Sequence, residues 1–261
     1  MERARQPDRR RNLDVSERPS GVGGVTDIEY ATEHLVSQVL TRRARGLRTT
    51  CAWLNHYTAL RVSGARLPHS FADIVAIDGQ LLSRIVGEPP SRRTSADSTL
   101  PILLDSLPAA RIALVGGSPS SIANFRQAFE RRWSKHEVVY CADGYGNRPT
   151  PQAFASQILS ASVDVAIIGL GAPMQERYLA AIKDACAPDS AIMAFTCGGW
   201  MDQFIQPDYY PRWAYPLGLT WLVRLSREPR RLWRRYTVDA IHALIVRRKI
   251  RRNIHDWRQQ S

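Results

Sequence analysis

The chain has 261 residues, and 44% of them are apolar, which is typical of a globular protein and excludes a largely disordered one. Its four cysteines show no C-x-x-C spacing and lie near no paired histidines, which argues against a zinc site and against a disulfide framework. The formal net charge is +12, and residues 224–261 contain 12 Lys/Arg against three acids. Most of the excess positive charge therefore lies near the end of the chain.

This basic segment predicts an anionic partner: nucleic acid, an anionic membrane or a phosphorylated substrate. The N-terminus has no apolar segment of the signal-peptide kind. No apolar run approaches the roughly 18–20 residues that cross a bilayer. We therefore expect a cytoplasmic protein.

Residues 1–25 are rich in Arg, Pro, Ser and Gly and lack periodicity, so we expect a disordered basic tail. Beyond them, apolar runs that end at glycine or polar residues alternate with helical patterns. The predicted strands are 49–54, 71–77, 111–117, about 138–140, 163–168 and 191–196. The predicted helices are 28–45, 57–64, 80–87, 99–107, 119–133, 151–161 and 174–186. This alternation predicts an α/β domain over residues 26–218, Rossmann-like, with a largely parallel sheet and helices on both faces.

The C-terminal section, residues 219–261, is predicted to be a basic amphipathic helical appendage. Residues 219–250 have the pattern of one or two helices, with arginine clusters at both ends. Their apolar stripe consists of Trp233, Ile241, Leu244 and Ile245. A basic amphipathic helix with tryptophan is typical of an interfacial membrane helix. The alternative is that the stripe packs on the core and the charged face is only solvated.

Ligands of open parallel sheets bind outside the carboxyl ends of the strands. In this chain several predicted strands end in a glycine pair or in Asp78-Gly79. The segment GLGAPMQE, which begins at Gly169, follows a buried strand and feeds a helix, so its backbone N–H groups could bind a phosphate. It lacks the Gly-Lys-Ser/Thr ending of a P-loop, and no G-x-G-x-x-G follows the first strand, which argues against a P-loop NTPase and a dinucleotide-dependent reductase.

Together the motifs over roughly residues 48–236 resemble the WecG/TagA/CpsF glycosyltransferase family, including its GumM-like members. The resemblance rests on the strand before Asp78-Gly79, on RIALVGG, Gly144-Tyr145, GLGAPMQE and GGWMD, and on GLTWLVRLSREPRRLWRRY. It implies an inverting enzyme that moves a sugar from a UDP-sugar to a lipid-diphosphate-linked saccharide, without a cofactor or a required metal. The product would belong to an exopolysaccharide, teichoic-acid linkage or related surface glycan.

The resemblance also implies partners and a location. The basic appendage would contact an anionic membrane surface, which places the enzyme peripherally on the inner face of the cell membrane. A homo-oligomer is possible. The alternative reading is a nucleic-acid-binding protein that uses the basic tail on phosphates, but the sequence has no helix-turn-helix, zinc-finger or RNP signature, so no nucleic acid is expected.

Asp78 matches the family's candidate catalytic aspartate, and an acceptor hydroxyl needs a general base. The alternative for a strand-end Asp-Gly is a simple turn. Arg92 matches a loop arginine that would contact the donor or acceptor diphosphate. Its neighbour Arg93 leaves the register open by one residue, and a solvated loop arginine is the alternative.

The remaining substrate-binding candidates also come from the resemblance. Gln175 would bind the donor sugar or nucleotide, while Glu176 could instead cap its own helix. Tyr145 and Asp202 would lie near the nucleoside, although both could equally be structural. The other candidates are Asn55, Gly116, Gly169, Gly171, Arg224, Arg231 and Arg234.

Three departures from the family pattern put the donor sugar and some acceptor contacts in doubt. Trp53-Leu54-Asn55 replaces a common Thr-x-Asn, residues 209–213 replace R-A-P-x-W, and Thr220 stands where glutamate is usual. His56, beside Asn55, is a further candidate for the sugar site, although a lone histidine is more often a packed or solvated side chain.

Overall fold

The computed structural model describes residues 27–65, 67–68, 70–146, 148–206, 209 and 220–259, without the side chains of Thr220 and Arg231. The predicted disordered tail, residues 1–25, and the substituted segment 210–213 lie outside the described residues.

Six parallel strands form one sheet in the order β2-β1-β6-β5-β3-β4. The strands are β1 Thr49–Leu54, β2 Ile74–Ile77, β3 Arg111–Gly116, β4 Glu137–Ala142, β5 Val165–Gly169 and β6 Met193–Thr196. The four central strands are continuous apolar or small-residue runs because helices cover both faces of the sheet. The predicted Rossmann-like α/β fold is confirmed.

Among the described residues, twelve α-helices surround the sheet or follow it. They are α1 Asp27–Ala44, α2 His56–Gly64, α3 Gln80–Val86, α4 Ala96–Ser106, α5 Pro119–Arg132, α6 Pro151–Ser160, α7 Met174–Ala185, α8 Trp200–Phe204, α9 Thr220–Arg227, α10 Pro229–Tyr236, α11 Val238–Ile245 and α12 Arg247–Gln259. Helices α2, α3, α6, α7, α11 and α12 bury residues in one apolar layer, and α1, α4, α5 and α8 in the other. The two layers lie on opposite faces of the sheet.

Local sequence explains where several helices begin. The hydroxyl of Ser118 accepts a hydrogen bond from the Ser121 N–H, and Pro119 occupies the first helical position of α5. Thr150 and Pro151 repeat this arrangement at α6. The predicted strand 71–77 is shorter than expected, because Phe71 lies outside it and packs edge-on against Trp257, with ring centroids 5.4 Å apart.

The chain leaves the neighbouring strands β3 and β5 in opposite directions. From β3 it runs through α5 to β4, and from β5 through α7 to β6, so the two helices lie on opposite faces of the sheet. A crevice opens at such a switch point. The two strand ends approach closely there, since a Cβ on Gly116 (φ +147°) would lie 2.5 Å from the carbonyl oxygen of Gly169.

The C-terminal section differs from the prediction of one or two helices, because it forms four short helices, α9 to α12. The predicted apolar stripe does not pack on the core: its four side chains are between 43% (Leu244) and 76% (Ile245) exposed. Ala243, Ile250 and Trp257 make the core contacts instead. Among the described helices, none combines the length and apolarity that a membrane span requires.

Candidate active site

Asp78 lies at the carboxyl end of β2, on the edge of the sheet where all six strands end. We call this edge the rim. The backbone N–H of Asp78 donates to Leu54 O at 2.7 Å, which continues the pairing of β1 and β2. Asn55 follows β1 beside it, and a Cβ on Gly79 would lie 3.5 Å from the Asn55 Cβ. Two of the candidate residues are therefore neighbours on the rim.

The Asp78 carboxylate is only partly exposed, and none of the described side chains donates a hydrogen bond to it. Burial and the nearby charge of Asp97 raise the pKa of Asp78 to about 6. Three arginines, Arg224, Arg235 and Arg93, oppose this rise through their positive charges. We refer to these five residues as the Asp78 cluster.

The loop before α4 supplies Arg93 to this cluster rather than Arg92. Thr94 fixes the loop: its N–H donates to Ile77 O at 3.0 Å, and its hydroxyl accepts from Trp53 Nε1 at 3.1 Å. The side chain of Arg93 is partly buried and its charge acts on Asp78, whereas Arg92 is exposed. Arg93 is therefore the loop arginine whose charge acts on Asp78, and the binding role of Arg92 stays a prediction.

The C-terminal section reaches the rim through Arg224 on α9. With the amide of Gln203 oriented so that its oxygen faces this arginine, Arg224 Nε donates to that oxygen at 3.1 Å. A Cβ on Gly199, just after β6, would lie 3.5 Å from Arg224 Nη2. Of the arginines predicted from the appendage, Arg224 therefore lies over the strand ends.

A second arginine of the appendage, Arg235, belongs to the Asp78 cluster although sequence reasoning missed it. His56 Nε2 donates to the Arg235 carbonyl oxygen at 3.0 Å. His56 is buried, and burial lowers its pKa, so the ring is neutral and carries its proton on the nitrogen that bonds this carbonyl. His56 therefore holds α10 against α2. The adjacent Arg234-Arg235 pair was the only signal in the sequence, and it does not say which arginine faces the rim.

The family model for "Glycosyl transferase WecG/TagA/CpsF family" matches residues 24–255 of the chain. The chain belongs to this glycosyltransferase family. The match spans the sheet and most of the appendage, and it includes the whole Asp78 cluster. The GumM-like subgroup stays a prediction.

The glycines of this glycosyltransferase line the crevice at the switch point. Gly116 and Gly169 end the paired strands β3 and β5. The Gly117 carbonyl accepts from the Gly144 N–H at 2.8 Å, which joins the loop after β4 to the same edge. Gly171 (φ +71°) adopts a conformation that favours glycine, and its carbonyl accepts from Gln175 N at 3.0 Å.

Gln175 and Glu176 form a buried pair in the first turn of α7. They are 2% and 0% exposed, and Gln175 Nε2 donates to Glu176 Oε1 at 2.9 Å. Gln175 Oε1 and Glu176 Oε2 have no hydrogen-bond partner. Burial raises the pKa of Glu176 to about 7, against the hydrogen bond from Gln175. Pro173 at the N-cap makes no side-chain cap hydrogen bond, and the Glu176 carboxylate interacts with both Gln175 and its own backbone N–H in the first turn.

Asp202 and Tyr145 lie near α5 and after β4, respectively. Asp202 on α8 accepts a hydrogen bond from the Ser121 hydroxyl, and both side chains line a polar pocket of about 340 Å³. Tyr145 is 80% exposed on a turn in which Asp143 Oδ1 accepts from the Tyr145 and Gly146 N–H groups. Both candidates are accessible to a ligand.

Arg234 lies in a different place from Arg235. It lines a groove of about 570 Å³ formed by α2, α7, α10, α11 and α12. Three further cations line this groove: Arg61, Arg177 and Lys249. We call it the basic groove. The helix α10 also contains Arg231, of which only the backbone is described.

Asn55 has a structural role in addition to its place on the rim. Its Oδ1 accepts from the Tyr57 and Thr58 N–H groups, each at 3.1 Å, and caps α2. Its amide nitrogen is the donor available to a ligand. Within the described residues, no three His, Cys, Asp or Glu side chains come together as a metal site would require, and metal independence stays a prediction.

Proposed function

We propose that this glycosyltransferase transfers a sugar from a UDP-sugar to a polyprenyl-diphosphate-linked saccharide with inversion, and that Asp78 is the general base. The observation that carries the proposal is a carboxylate at a strand end with its pKa raised to about 6, faced by arginines from three separate segments. A base of this strength is ionised at neutral pH and still accepts a proton usefully.

The proposed reaction is a single displacement. Asp78 takes the proton of the acceptor hydroxyl while that oxygen forms its bond to the anomeric carbon of the donor sugar. The bond from the anomeric carbon to the phosphate oxygen breaks, and UDP leaves with the electron pair. Negative charge grows on the diphosphate in this step, and fixed cations and N–H groups stabilise it. Arg93, Arg224 and Arg235 supply such cations.

The donor fits the crevice between β3 and β5 in this proposal. Its diphosphate would lie against the strand ends at Gly116, Gly169 and Gly171, near the N-terminus of α5. Asp202, in its polar pocket, would accept from donors of the base or ribose, and Tyr145 would contact the nucleoside. Asp202 reaches the start of α5 from α8, and Tyr145 follows Gly144, which bonds to Gly117 after β3.

The donor sugar would then lie towards β1 and β2, where Asp78 is found. Gln175 is a donor-binding residue in this proposal because its Oε1 lacks a hydrogen-bond partner. This oxygen is enclosed, so the side chain would have to turn out of its pair with Glu176 to accept from a sugar hydroxyl. The amide nitrogen of Asn55 is a donor on the same edge. The sugar's identity would depend on these polar groups.

The acceptor diphosphate and the membrane would meet the appendage, residues 219–261. Arg92, Arg231 and Arg234 are the cations proposed for the acceptor diphosphate, and Arg224 is proposed to contact both diphosphates. The exposed stripe of Trp233, Ile241, Leu244 and Ile245 supports peripheral binding, since apolar side chains beside arginines suit an anionic lipid interface. We place this binding on the inner face of the cell membrane, in surface-glycan synthesis such as that of an exopolysaccharide.

Calorimetric titration with UDP, GDP and UDP-sugars tests the donor class first. We expect UDP and one or more UDP-sugars to bind and GDP to bind more weakly. Transfer to a lipid-diphosphate acceptor is then measured with the unaltered enzyme and with Asp78→Asn. Absence of binding by any nucleotide, or normal turnover by Asp78→Asn, would contradict the proposal.

A further inference from the structure

Trp53, near the end of β1, brings one polar atom into an apolar layer of the core. Its side chain is 5% exposed, and its ring stacks on Phe195 of β6 with the ring centroids 6.0 Å apart. A buried indole usually finds a partner for its N–H group. For Trp53 that partner is the hydroxyl of Thr94, which accepts from Nε1 at 3.1 Å. The stack fixes the ring, so the N–H donor points at the loop before α4.

Thr94 is bound to the ends of two strands. Its hydroxyl contacts Trp53 of β1, and its N–H donates to Ile77 O at 3.0 Å. Ile77 is the last residue of β2, the edge strand of the sheet, and it directly precedes Asp78. Ile77 also pairs in register with Leu54, the residue after Trp53. The two hydrogen bonds of Thr94 therefore attach the loop to both strands just before the rim.

The segment 93–97 carries two of the charges that act on Asp78. Arg93 directly precedes Thr94, and Asp97 lies in the first turn of α4. The charge of Asp97 raises the pKa of Asp78 and that of Arg93 lowers it, and the effect of Asp97 is the larger. The other charged members of the cluster lie on the C-terminal helices: Arg224 and Arg235. A shift of the segment would therefore move both of its charges at once.

We propose that Trp53 is a positioning residue for Asp78, because through Thr94 it holds the segment 93–97 against the end of β2. Trp53 stands where the family commonly has threonine. An indole N–H lies further from the backbone than a threonine hydroxyl, which is how this chain reaches Thr94. That the positioned carboxylate is the general base rests on the proposed function, whereas the positioning itself does not.

Four variants remove or keep this hydrogen bond. Trp53→Phe keeps an aromatic ring but has no N–H donor, and Thr94→Val loses the hydroxyl at nearly the same shape. Thr94→Ser keeps the hydroxyl. The double variant Trp53→Phe/Thr94→Val completes a cycle in which the same contact is removed from either side. Trp133→Phe is the matched control, because Trp133 is also buried and its Nε1 donates to Asp105 at 2.8 Å, outside the Asp78 cluster.

The first readout is the titration of Asp78, followed by carboxyl carbon NMR. Trp53→Phe and Thr94→Val should each lower the pKa of Asp78 from about 6 towards its ordinary value of about 4. The reason is that the charge of Asp97 recedes and entering water weakens the effect of burial. The double variant should lower this pKa no further than the larger single change does. Thr94→Ser and Trp133→Phe should leave it near about 6, since a loss of stability alone does not move this titration.

Turnover is the second readout. A misplaced general base should lower kcat on the order of tenfold in Trp53→Phe and Thr94→Val. The KM for the donor should change little, because the nucleotide is proposed to bind at β3 and β5. The direction of the pKa change separates these variants from a loss of the Arg93 charge alone. Arg93→Gln should raise the pKa of Asp78, whereas release of the whole segment lowers it.

The outcomes distinguish this inference from the proposed function. An Asp78 pKa that falls in both single variants, and no further in the double variant, supports the inference even if the enzyme transfers no sugar from any UDP-sugar. An unchanged or raised pKa in Trp53→Phe and Thr94→Val overturns it, even if UDP-sugar transfer proceeds. So does a fall in Thr94→Ser as large as in Thr94→Val, or an equal fall in Trp133→Phe. If Trp53→Phe does not fold, the comparison of Thr94→Val with Thr94→Ser decides the matter.

Discussion

An aspartate lies at each end of the short strand β2, and the two differ in their hydrogen bonds and in their pKa. Asp73, just before the strand, accepts from Thr50 N and Oγ1 at 2.9 and 2.8 Å, and it pairs with Arg48 and Lys183. Asp78, just after it, has no such hydrogen bond among the described residues. Both side chains are shielded from water, yet only the Asp73 carboxylate has hydrogen-bond partners among the described residues.

The difference is expressed in their ionisation. Burial alone would raise the pKa of Asp73, but hydrogen bonds from Arg48, Thr50 and Lys183 hold it below its ordinary value. At Asp78 burial prevails over the arginine charges and the pKa rises to about 6. Satisfied acids stabilise a fold, whereas an unsatisfied acid at a strand end is available for chemistry.

The largest expected effect is the loss of transfer in Asp78→Asn. An amide cannot take the acceptor proton, and general-base catalysis is typically worth about 10²- to 10⁴-fold. UDP affinity should change little because the diphosphate does not bind to this side chain in the proposed arrangement. Turnover and calorimetry on the same preparation measure both quantities.

The matched control for that change is Asp97→Asn, which removes the other acid of the cluster. It lowers the pKa of Asp78 by removing a repelling charge, so the enzyme should retain most of its turnover at neutral pH. If Asp97→Asn were as inactive as Asp78→Asn, the general base would have to be assigned anew.

Asp73→Asn should have the opposite pattern, a loss of stability with normal catalysis in the folded protein. It leaves Arg48 and Lys183 without their counter-ion, and breaking a buried pair costs about 3–5 kcal/mol of unfolding free energy. Urea unfolding measures the loss, with the exposed Asp184→Asn on α7 as control. A change of Asp73 that abolished transfer in fully folded protein would erase the contrast between the two ends.

The pH dependence of stability should also differ in sign. The folded pKa of Asp78 is raised, so its contribution is fully present below the unfolded value of about 4 and is lost as pH rises through about 6. The free energy of unfolding of Asp78→Asn should therefore exceed that of the unaltered protein by about 1–3 kcal/mol at about pH 8. The gap should close towards pH 4. Asp73 has a lowered pKa, and its contribution is present above the unfolded value and lost as pH falls through the folded one.

The rate of transfer should fall at acidic pH with an apparent pKa near 6, because protonated Asp78 cannot act as base. We call this fall in rate the acidic limb of the pH profile. Glu176, whose pKa is raised to about 7, is the competing source of such a limb. Glu176→Gln should keep the limb if Asp78 causes it. A limb that disappears in Glu176→Gln would transfer the assignment to the buried pair on α7.

Much of the fold could be predicted because buried parallel strands leave a strong pattern. The bounds of β1 were predicted as 49–54 and are Thr49–Leu54. The glycines at the ends of β3 and β5 lie together as predicted, since the strand ends of a parallel sheet share one edge. The Ser118-Pro119 start of α5 needed only local capping chemistry.

The parts that could not be predicted depend on contacts between distant segments. The appendage was expected to form one or two helices. Neither of its breaks at Thr237 and Val246 contains a glycine. Only the break at Thr237 follows a helix that begins with a proline. Gln175 was predicted to bind the donor sugar or nucleotide, and its buried pairing with Glu176 carried no signal in the sequence. Arg235 joins the Asp78 cluster only because α2 holds α10. No local pattern contains that information.

The smallest expected effect separates two adjacent loop arginines. Arg93→Gln should lower the transfer rate about twofold to fivefold and raise the pKa of the acidic limb, because the Arg93 charge partly offsets the effect of burial on Asp78. Arg92→Gln should change neither quantity at saturating acceptor, since Arg92 is exposed and Thr94 turns its neighbour towards the rim.

Kinetics over a pH series with both variants decide which arginine belongs to the chemical site. A raised limb only in Arg92→Gln would mean that the loop has the other register in solution. A larger acceptor KM in Arg92→Gln with an unchanged limb would leave Arg92 to the acceptor diphosphate and Arg93 to Asp78. The two arginines would then differ as Arg234 and Arg235 do on α10, where only the charge of Arg235 acts on Asp78.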